Sequence, residues 1–508
     1  MLRNFFIKNF FFKKNRTLII LFVFCFLVKV NNFFFINNLS FVPIDYFKTL
    51  DNNFFEYFKY SHTQPLFIVI FDAVRLKISY YIDINIKYLF YIINAFTTFL
   101  LIFFLNKIFG GYFRENMFLN FLIILLIIAI SPFDVWRISH HDHINFFIII
   151  LLTYSVANRL LFEKQNEKFI FCLIFILTNS YTMGVVLSFL TLLFLFIYNL
   201  VFLKTNFFIK YFFIFLICIF PFFKNFYYHG AFSSSTMMGA NLIQRSLHAI
   251  GHDDFKKIVL SNKDLPNWWK NCFEDIYLNQ YDQNNIDAFR SRLAHGNCYK
   301  QNKKNKFSDF NLYLNNIKNI PENSEAIFEI KKDIQIYKEK NWIFDAEYYE
   351  STPNIARLYQ SYGSKLFWLS LKNYPQQMFV GKVGKKGFVL TFAQMLSSAT
   401  LFPSYYENNF VNWNFLSISS YNILKVIFII LAFFSIFIFY LFFKKKLTNE
   451  EKKNIIFYFY SFSCLLAIIL ASSIITCCEN PRIAILSLPF FIYIIFYNFL
   501  ELHSYFKR

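Results

Sequence analysis

Apolar runs of membrane-spanning length alternate with short polar segments along most of this chain. About 20 consecutive apolar residues form a helix long enough to cross a bilayer. The pattern predicts ten spans, at residues 17–36, 86–106, 117–131, 144–162, 169–182, 185–203, 206–223, 421–443, 454–475 and 483–500. The predicted fold class is therefore an all-α polytopic membrane protein.

One segment, 66–83, is amphipathic rather than continuously apolar, because Asp72, Arg75 and Lys77 lie near its middle. A spanning helix would cost several kcal/mol for each of these charges. A helix lying along the membrane surface keeps its charges in water. We therefore predict an interfacial helix whose apolar positions enter the lipid, namely Leu66, Phe67, Val69, Ile70, Val74 and Ile78.

The composition supports this class and changes how the charge is interpreted. Of 508 residues, 56% are hydrophobic and 16% are charged, and the formal net charge is +20. A nucleic-acid partner is not favoured, since the Lys and Arg residues cluster in short segments between apolar runs, as the positive-inside rule requires. The basic tail 1–16 and the apolar run after it, which lacks a small-residue cleavage site, predict an uncleaved signal-anchor. Both termini are then expected on the cytoplasmic side.

The predicted spans divide the chain into three parts. Residues 1–223 form an N-terminal membrane module with outer loops at 37–85 and 132–143. Residues 224–418 form a polar, mainly α extracytoplasmic insert, and residues 419–508 form a C-terminal module of three spans. Cys272 and Cys298 share the insert, and whether they form a disulfide is left open.

On this topology the candidate reactive groups all fall on the outer face. Carboxylates there can deprotonate an acceptor, and cations can stabilise a leaving phosphate. Such a face, backed by helices, suits a substrate with a polar head and a long apolar tail. The candidate catalytic acids are Asp45, Asp51, Asp134 and Asp142. The candidate substrate-binding residues are His62, Gln64, Arg137, His143, Glu479 and Arg482.

The run His140-His141-Asp142-His143 has two interpretations. Imidazole and carboxylate groups bind divalent metals, so His140, His141 and Asp142 are a candidate site for a divalent metal ion. The alternative is a polar cap before the next span, with Asp142 favourably placed near a helix N-terminus. No cofactor is otherwise indicated, and neither a Walker lysine motif, a dinucleotide-binding fingerprint nor a Gly-x-Ser-x-Gly elbow occurs.

His62-Thr63-Gln64-Pro65-Leu66-Phe67, which opens the amphipathic segment, resembles a motif of the GT-C membrane glycosyltransferases. Many members carry His-x-x-Pro-Pro-Leu or Gln-Pro-Pro-Leu-Phe there, whereas this chain has the single Pro65. Three further stretches, 224–241, 371–405 and 479–482, are similar to a bacterial subgroup of that family. The subgroup includes lipid A sugar transferases, and protein mannosyltransferases belong to the same family.

The resemblance implies a polyprenyl-phosphate-linked sugar as donor and inverting transfer to a lipid, glycan or protein acceptor of the cell envelope. It also implies a bacterial inner membrane, with the active site on the periplasmic side. Asp45, or else Asp51, would be the base, and Asp134 or Asp142 the second-loop acid. His62 and Gln64 would shape the site, Arg482 would bind the lipid phosphate, and the insert would help to choose the acceptor.

Two other functions stay open. An O-antigen polymerase or ligase also has many spans and a large outer loop, with arginines and a histidine such as Arg245, His248, Arg290, Arg292 and His295. A transporter of lipid-linked saccharides would carry charged or Gly/Pro-broken segments near the middle of the membrane. The spans here are mostly uninterrupted, which favours the transferase.

Overall fold

The computed structural model describes residues 140–180, 183–203, 208–229, 232–233, 238–265, 353–380, 448–475 and 485–487. It also describes single positions between 67 and 104, at 270 and between 489 and 498. About 90% of the described residues are helical and none of them is in a strand. The all-α class is thus confirmed for the described part of the chain.

Ten α-helices account for most of the described residues. Five belong to the N-terminal part: α1 His140–Leu160, α2 Glu167–Ser180, α3 Gly184–Tyr198, α4 Phe208–Cys218 and α5 Phe220–His229. A π-helical turn, Asn199–Leu203, continues α3. The others are α6 Met238–Ile250, α7 His252–Ser261, α8 Pro353–Asn373, α9 Pro375–Val380 and α10 Asn449–Ile475, and a 3-10 turn spans Ile485–Ser487.

Two helical segments in the described residues are long and apolar enough to cross a membrane. They are Gly184–Leu203, with a mean hydropathy of 2.5, and Asn449–Ala471, with a mean hydropathy of 2.0. α4 and α5 form a third candidate span, bent by 46°. Five of the ten predicted spans are therefore helices in the structure, at 144–162, 169–182, 185–203, 206–223 and 454–475. The span at 483–500 is described in part, with a 3-10 turn at Ile485–Ser487 and helical positions between 489 and 498, and the other four lie wholly or almost wholly outside the described residues. The count of ten therefore stays a prediction.

The break between α4 and α5 lies just before Pro221. Proline has no N–H to donate within a helix, and its ring clashes with the carbonyl four residues earlier, so it belongs in a first helical turn. Here Pro221 is the second residue of α5. The seventh predicted span, 206–223, is therefore bent, and its helix continues to His229, past the predicted start of the insert at residue 224.

The membrane helices alternate in direction. Tyr460 of α10 contacts α3 near its middle, with its hydroxyl 3.2 Å from Thr191 Oγ1 and its ring centroid 5.7 Å from that of Phe194. Earlier in α10, Lys453 Nζ lies 5.7 Å from the ring centroid of Phe202, after the end of α3. α10 and α3 are therefore antiparallel.

The two ends of the bundle can now be distinguished. The Arg159 guanidinium at the C-terminal end of α1 lies 5.5 Å from the ring centroid of Tyr198 at the C-terminal end of α3, so α1 and α3 run in the same direction. We call this the inner end, because it leads to the loops predicted to be cytoplasmic. The opposite end, where α1 and α3 begin and α10 finishes, is called the outer end.

α1 is the most enclosed helix of the bundle. From Ile144 to Leu160 each of its described side chains is buried or half-buried, although it carries Thr153, Ser155 and Asn158. α3 and α4, in contrast, expose large apolar side chains such as Phe189 and Phe213. Because apolar side chains are stable in lipid, α3 and α4 form the lipid-facing side and α1 the interior.

Two glycines allow helices to approach closely. A Cβ added to Gly184 would lie 2.3 Å from the carbonyl oxygen of Leu177, where α2 meets α3. A Cβ added to Gly363 would lie 2.1 Å from the carbonyl oxygen of Gly239, where α8 crosses α6. α8 also contacts α5, and α6 contacts α10, so the described insert helices pack against the membrane helices.

The amphipathic segment 66–83 is helical at each position that the structure describes, namely 67, 70, 74, 77, 78, 81 and 82. The ring of Phe67 lies 5.7 Å from that of Phe175, in the half of α2 nearer the outer end. Val74 and Ile78 are exposed, as expected for lipid-facing residues, and Lys77 shares their stripe. The interfacial orientation of this helix stays a prediction.

Candidate functional site

Most of the predicted site residues lie outside the described part of the chain. This holds for Asp45, Asp51, His62, Gln64, Asp134, Arg137, Glu479 and Arg482, and also for Cys272 and Cys298. Their catalytic, binding and disulfide roles therefore stay predictions.

The backbone of His140-His141-Asp142-His143 is described, and it forms the first turn of α1. The helix thus begins four residues before the predicted span at 144–162, which places this run in the helix rather than in the outer loop 132–143. Among the residues that the structure describes, no group of three or more His, Cys, Asp and Glu side chains is arranged to hold a metal. The metal site stays a prediction for His140, His141 and Asp142.

The helix directions place the first turn of α1 and the last turn of α10 at the same end of the bundle. The first turn of α1 lies at the outer end, because α1 and α3 run in the same direction. α10 finishes at the same end, and Glu479 and Arg482 follow it in sequence. The amphipathic helix that follows His62 and Gln64 touches the outer half of α2 through Phe67.

The segment that follows α5 packs against its outer end. Asn225 Nδ2 donates a hydrogen bond to the carbonyl oxygen of Ser233 at 2.8 Å, and both residues are buried. Between them in sequence, the ring of Phe232 lies 5.4 to 6.3 Å from three rings of α5, those of Phe222, Phe223 and Phe226. These contacts fold the chain back along α5 and create a cluster of exposed aromatic rings.

Two cations are buried near this end, Lys224 in α5 and Arg245 in α6. Arg245 is only 1% exposed. Removing a charge from water is costly, so a cation buried in this way is expected to have polar or charged neighbours. Lys224 was not among the predicted site residues. The sequence offered one signal for Lys224, namely that it is a single lysine directly after the apolar run that contains Pro221.

Hydroxyl groups join α2 to α3 near the outer end. Thr178 Oγ1 and Ser188 Oγ lie 2.8 Å apart, and both side chains are buried. Each hydroxyl has one proton, so one of the two donates to the other, and the second donates to a carbonyl oxygen of its own helix. Thr178 Oγ1 lies 2.8 Å from the carbonyl oxygen of Ile174, and Ser188 Oγ lies 2.6 Å from that of Gly184. Such contacts satisfy the polar groups inside the membrane and position the two helices, and they leave no reactive group exposed.

The inner end holds a network of charged groups that sequence reasoning did not find. Arg159 Nη2 donates to Glu167 Oε1 at 2.9 Å and to Asn199 Oδ1 at 3.3 Å. Lys210 Nζ donates to Glu167 Oε2 at 2.9 Å, and Asn199 Nδ2 contacts the hydroxyl of Tyr211. Asn199 begins the π-helical turn, and single π-helical turns of this kind are rare in helices and frequent at functional sites.

This network joins α1, α2, α3 and α4, and a second ion pair adds α10. Burial alone would raise the pKa of Glu167, but the hydrogen bond and charge of Lys210 and the charge of Arg159 lower it below its usual value. Beside it, the hydrogen bond from Lys453 lowers the pKa of Glu163. Each residue of the network has an opposite charge or a hydrogen-bond partner in another helix, although Arg159 Nε is buried without one among the residues that the structure describes. We therefore interpret the network as a tie between the helices.

The sequence interpretation treated 163–168 only as a cytoplasmic turn. The partners of Glu167 are 8, 32 and 43 positions away, and no local periodicity connects them. A signal was nevertheless present, because Arg159 lies within a predicted span and a charge there needs a partner.

Comparison with known proteins finds no matching family model, no similar curated protein and no similar solved structure.

Proposed function

We propose that this chain is a membrane glycosyltransferase that moves a sugar from a polyprenyl-phosphate donor to an acceptor of the cell envelope. The supporting observation is the stretch His62–Phe67, whose pattern resembles that of the GT-C enzymes. Its last residue, Phe67, is helical and contacts the outer half of α2. Phe67 thus lies toward the end of the bundle at which α1 begins and α10 ends.

In the proposed reaction Asp45, or else Asp51, takes the proton of an acceptor hydroxyl. The acceptor oxygen attacks the anomeric carbon with inversion, and the bond from that carbon to the phosphate oxygen breaks. The electron pair leaves with the polyprenyl phosphate, whose charge Arg482 stabilises. Prenyl phosphate is already a fair leaving group, so alignment of the acceptor oxygen and the anomeric carbon supplies much of the barrier reduction.

Asp134 or Asp142 is the proposed second acid, and His62, Gln64, Arg137, His143 and Glu479 are proposed to bind the donor or acceptor. The active site would face the periplasm of a bacterial inner membrane, with both chain termini in the cytoplasm. A divalent metal at His140, His141 and Asp142 is an additional hypothesis, which the effect of chelators on transfer would test.

The experiment replaces Asp45 with Asn, and separately Asp51 with Asn. The amide has the shape of the carboxylate but cannot accept the proton, so we expect one of the two variants to lose sugar transfer while its membrane insertion is unchanged. Mass spectrometry of the envelope glycans measures the transferred sugar. Full activity in both variants would remove the first-loop base from the mechanism.

The same measurement distinguishes the alternatives. Loss of a single sugar in cells without the gene indicates a transferase, whereas loss of a polymer indicates an O-antigen polymerase or ligase. For the latter, Arg245 is a poor substrate-binding candidate because its side chain is buried in α6. A lipid-linked saccharide transporter would instead cause its substrate to accumulate on the cytoplasmic side.

A further inference from the structure

The exposed side of α8 carries a basic and aromatic stripe. Ser361, Lys365, Trp368 and Lys372 are spaced by four, three and four residues, which places them on one face of the helix, and all four are exposed. Trp368 is 64% exposed, a large fraction for an indole in a folded domain. This surface is named the α8 stripe.

The opposite face of α8 is fixed against the rest of the insert. Gly363, Leu366 and Ser370 are buried, and the close approach of Gly363 to Gly239 joins α8 to α6. The ring of Phe367, also buried, lies 5.5 Å from that of Trp368 in an edge-to-face arrangement. The orientation of α8 is therefore set by its buried face, and the α8 stripe is held outward on a rigid support.

The helix that carries the α8 stripe contacts the helix with which a candidate span ends. The bent candidate span formed by α4 and α5 ends at Tyr227, and α8 contacts α5. Around that point the aromatic cluster of Phe226, Tyr227 and Phe232 is exposed. Tyrosine and tryptophan at the end of a span are typical of the layer of lipid head groups, and Tyr227 is of this type; exposed phenylalanine rings beside it suit contact with lipid.

The short helix α9 extends the same kind of surface, because Phe379 is 50% exposed. Between Pro353 and Val380 the sequence has the basic residues Arg357, Lys365 and Lys372 and no acidic residue. Lys365 forms an exposed ion pair with Asp264, so its charge is partly neutralised. Lys372, one helical turn beyond Trp368, is exposed.

We infer that the α8 stripe rests on the outer leaflet of the membrane, with Trp368 among the lipid head groups and the lysines at anionic lipid phosphates. Tryptophan prefers this depth because its ring is apolar and its N–H can donate to water or to lipid. Lysine reaches phosphate from the same position because its long apolar stem lies along the lipid. This inference concerns how the insert is attached to the bilayer, and it does not depend on the proposed transferase function.

The test uses the full chain in vesicles and reads the emission of Trp368. The chain has six tryptophans, so the contribution of Trp368 is taken as the difference between the wild type and Trp368→Phe, a change on an exposed surface. Vesicles contain phosphatidylcholine and phosphatidylglycerol, and one of the two is brominated in each preparation. Bromine quenches indole only at close range, and acrylamide in the water quenches an indole that faces the solution.

We expect the Trp368 emission to be quenched by both brominated lipids, and more strongly by the anionic one. Lys372→Gln should reduce that anionic preference by up to about fivefold. Lys365→Gln should reduce it less, because Asp264 already offsets that charge. The matched control is Lys257→Gln on α7, an exposed lysine that likewise forms an ion pair, with Asp254 at 3.5 Å. It should leave the anionic preference unchanged.

Quenching of Trp368 by acrylamide but by neither lipid would overturn the inference and indicate a surface for a soluble partner. Equal quenching by the two lipids in every variant would overturn the assignment of the lysines to anionic phosphates. An effect of Lys257→Gln as large as that of Lys372→Gln would do the same, since the preference would then reflect the overall charge of the insert.

Discussion

Replacement of Glu167 by Gln tests whether the inner-end network holds the helices together. Gln keeps the size of the side chain and one oxygen acceptor, but it removes the negative charge between Arg159 and Lys210. The Arg159 side chain is 9% exposed and the Glu167 side chain 17%, so one partner of the pair is nearly enclosed. Lys210 is more exposed, and its bond to Glu167 is screened by solvent.

The magnitude follows from these exposures. Removing one partner of a fully buried ion pair costs about 3–5 kcal/mol, whereas an exposed ion pair contributes about 0.2–1 kcal/mol. Arg159 keeps its hydrogen bond to Asn199 and its contact with Tyr198, which reduces the loss. We therefore expect Glu167→Gln to lower the free energy of unfolding by about 2–3 kcal/mol.

The assay is thermal unfolding of the purified chain in detergent, followed by size-exclusion chromatography of the remaining folded fraction. For cooperative unfolding of a chain of 508 residues, the expected loss corresponds to a fall in apparent Tm of roughly 2–3 °C. Glu163→Gln is the matched control, because Glu163 also pairs with a lysine, Lys453, but its side chain is 61% exposed. It should have a smaller effect. If both variants lose the same Tm, or neither loses any, the assignment of the network as a structural tie is wrong.

The pH dependence gives an independent check on the same residue. The folded-state pKa of Glu167 is lowered, so its contribution to stability is present above the ordinary carboxyl pKa of about 4.3. That contribution is lost as the pH falls through the folded-state pKa. The difference in Tm between the wild type and Glu167→Gln should therefore be constant at neutral pH and shrink below about pH 4. A difference that grew on acidification would contradict the sign of this linkage.

Two further predictions concern contacts between helices. Gly363→Ala should destabilise the insert by about 1–3 kcal/mol, because the added carbon meets the backbone oxygen of Gly239. The control Ser361→Ala, on the exposed face of the same helix, should be nearly neutral. Limited proteolysis of the insert measures both variants, and equal cleavage rates would refute the close crossing of α8 and α6. Tyr460→Phe should lower the free energy of unfolding by about 1 kcal/mol, because it removes the contact with the hydroxyl of Thr191. Adding Thr191→Val to Tyr460→Phe should lower it little further. Thermal unfolding of the two single variants and the double variant checks this.

Hydropathy predicted the helical class and the approximate positions of five helices, because the length of an apolar run is a direct property of the sequence. It did not predict helix ends. α1 begins at His140 rather than at Ile144, because its first turn consists of polar residues, which a hydropathy average does not register as part of the helix. The bend before Pro221 was likewise not predicted, because a hydropathy average over 206–223 does not register one proline.

The contacts between candidate residues are set by three-dimensional packing, and the sequence was much less informative about them. Counting spans predicted that the candidate groups lie on one face, and the directions of the helices agree with that count, since α1 and α3 run in the same direction and α10 runs in the opposite one. The ties of Arg159 to Glu167 and Asn199 depend on three-dimensional packing alone. The π-helical turn at Asn199 has no recognisable sequence signature, yet it begins at the residue that joins α3 to α1 and α4.

The burial of α1 has a consequence for biosynthesis. α10 contacts α1, and Lys453 and its partner Glu163 are 290 positions apart in the sequence. At about 5–20 residues per second, translation places tens of seconds between these two helices. During that interval the nascent α1 must stay inside the membrane with one side not yet covered by its native neighbour, so this bundle cannot be completed until α10 has been synthesised.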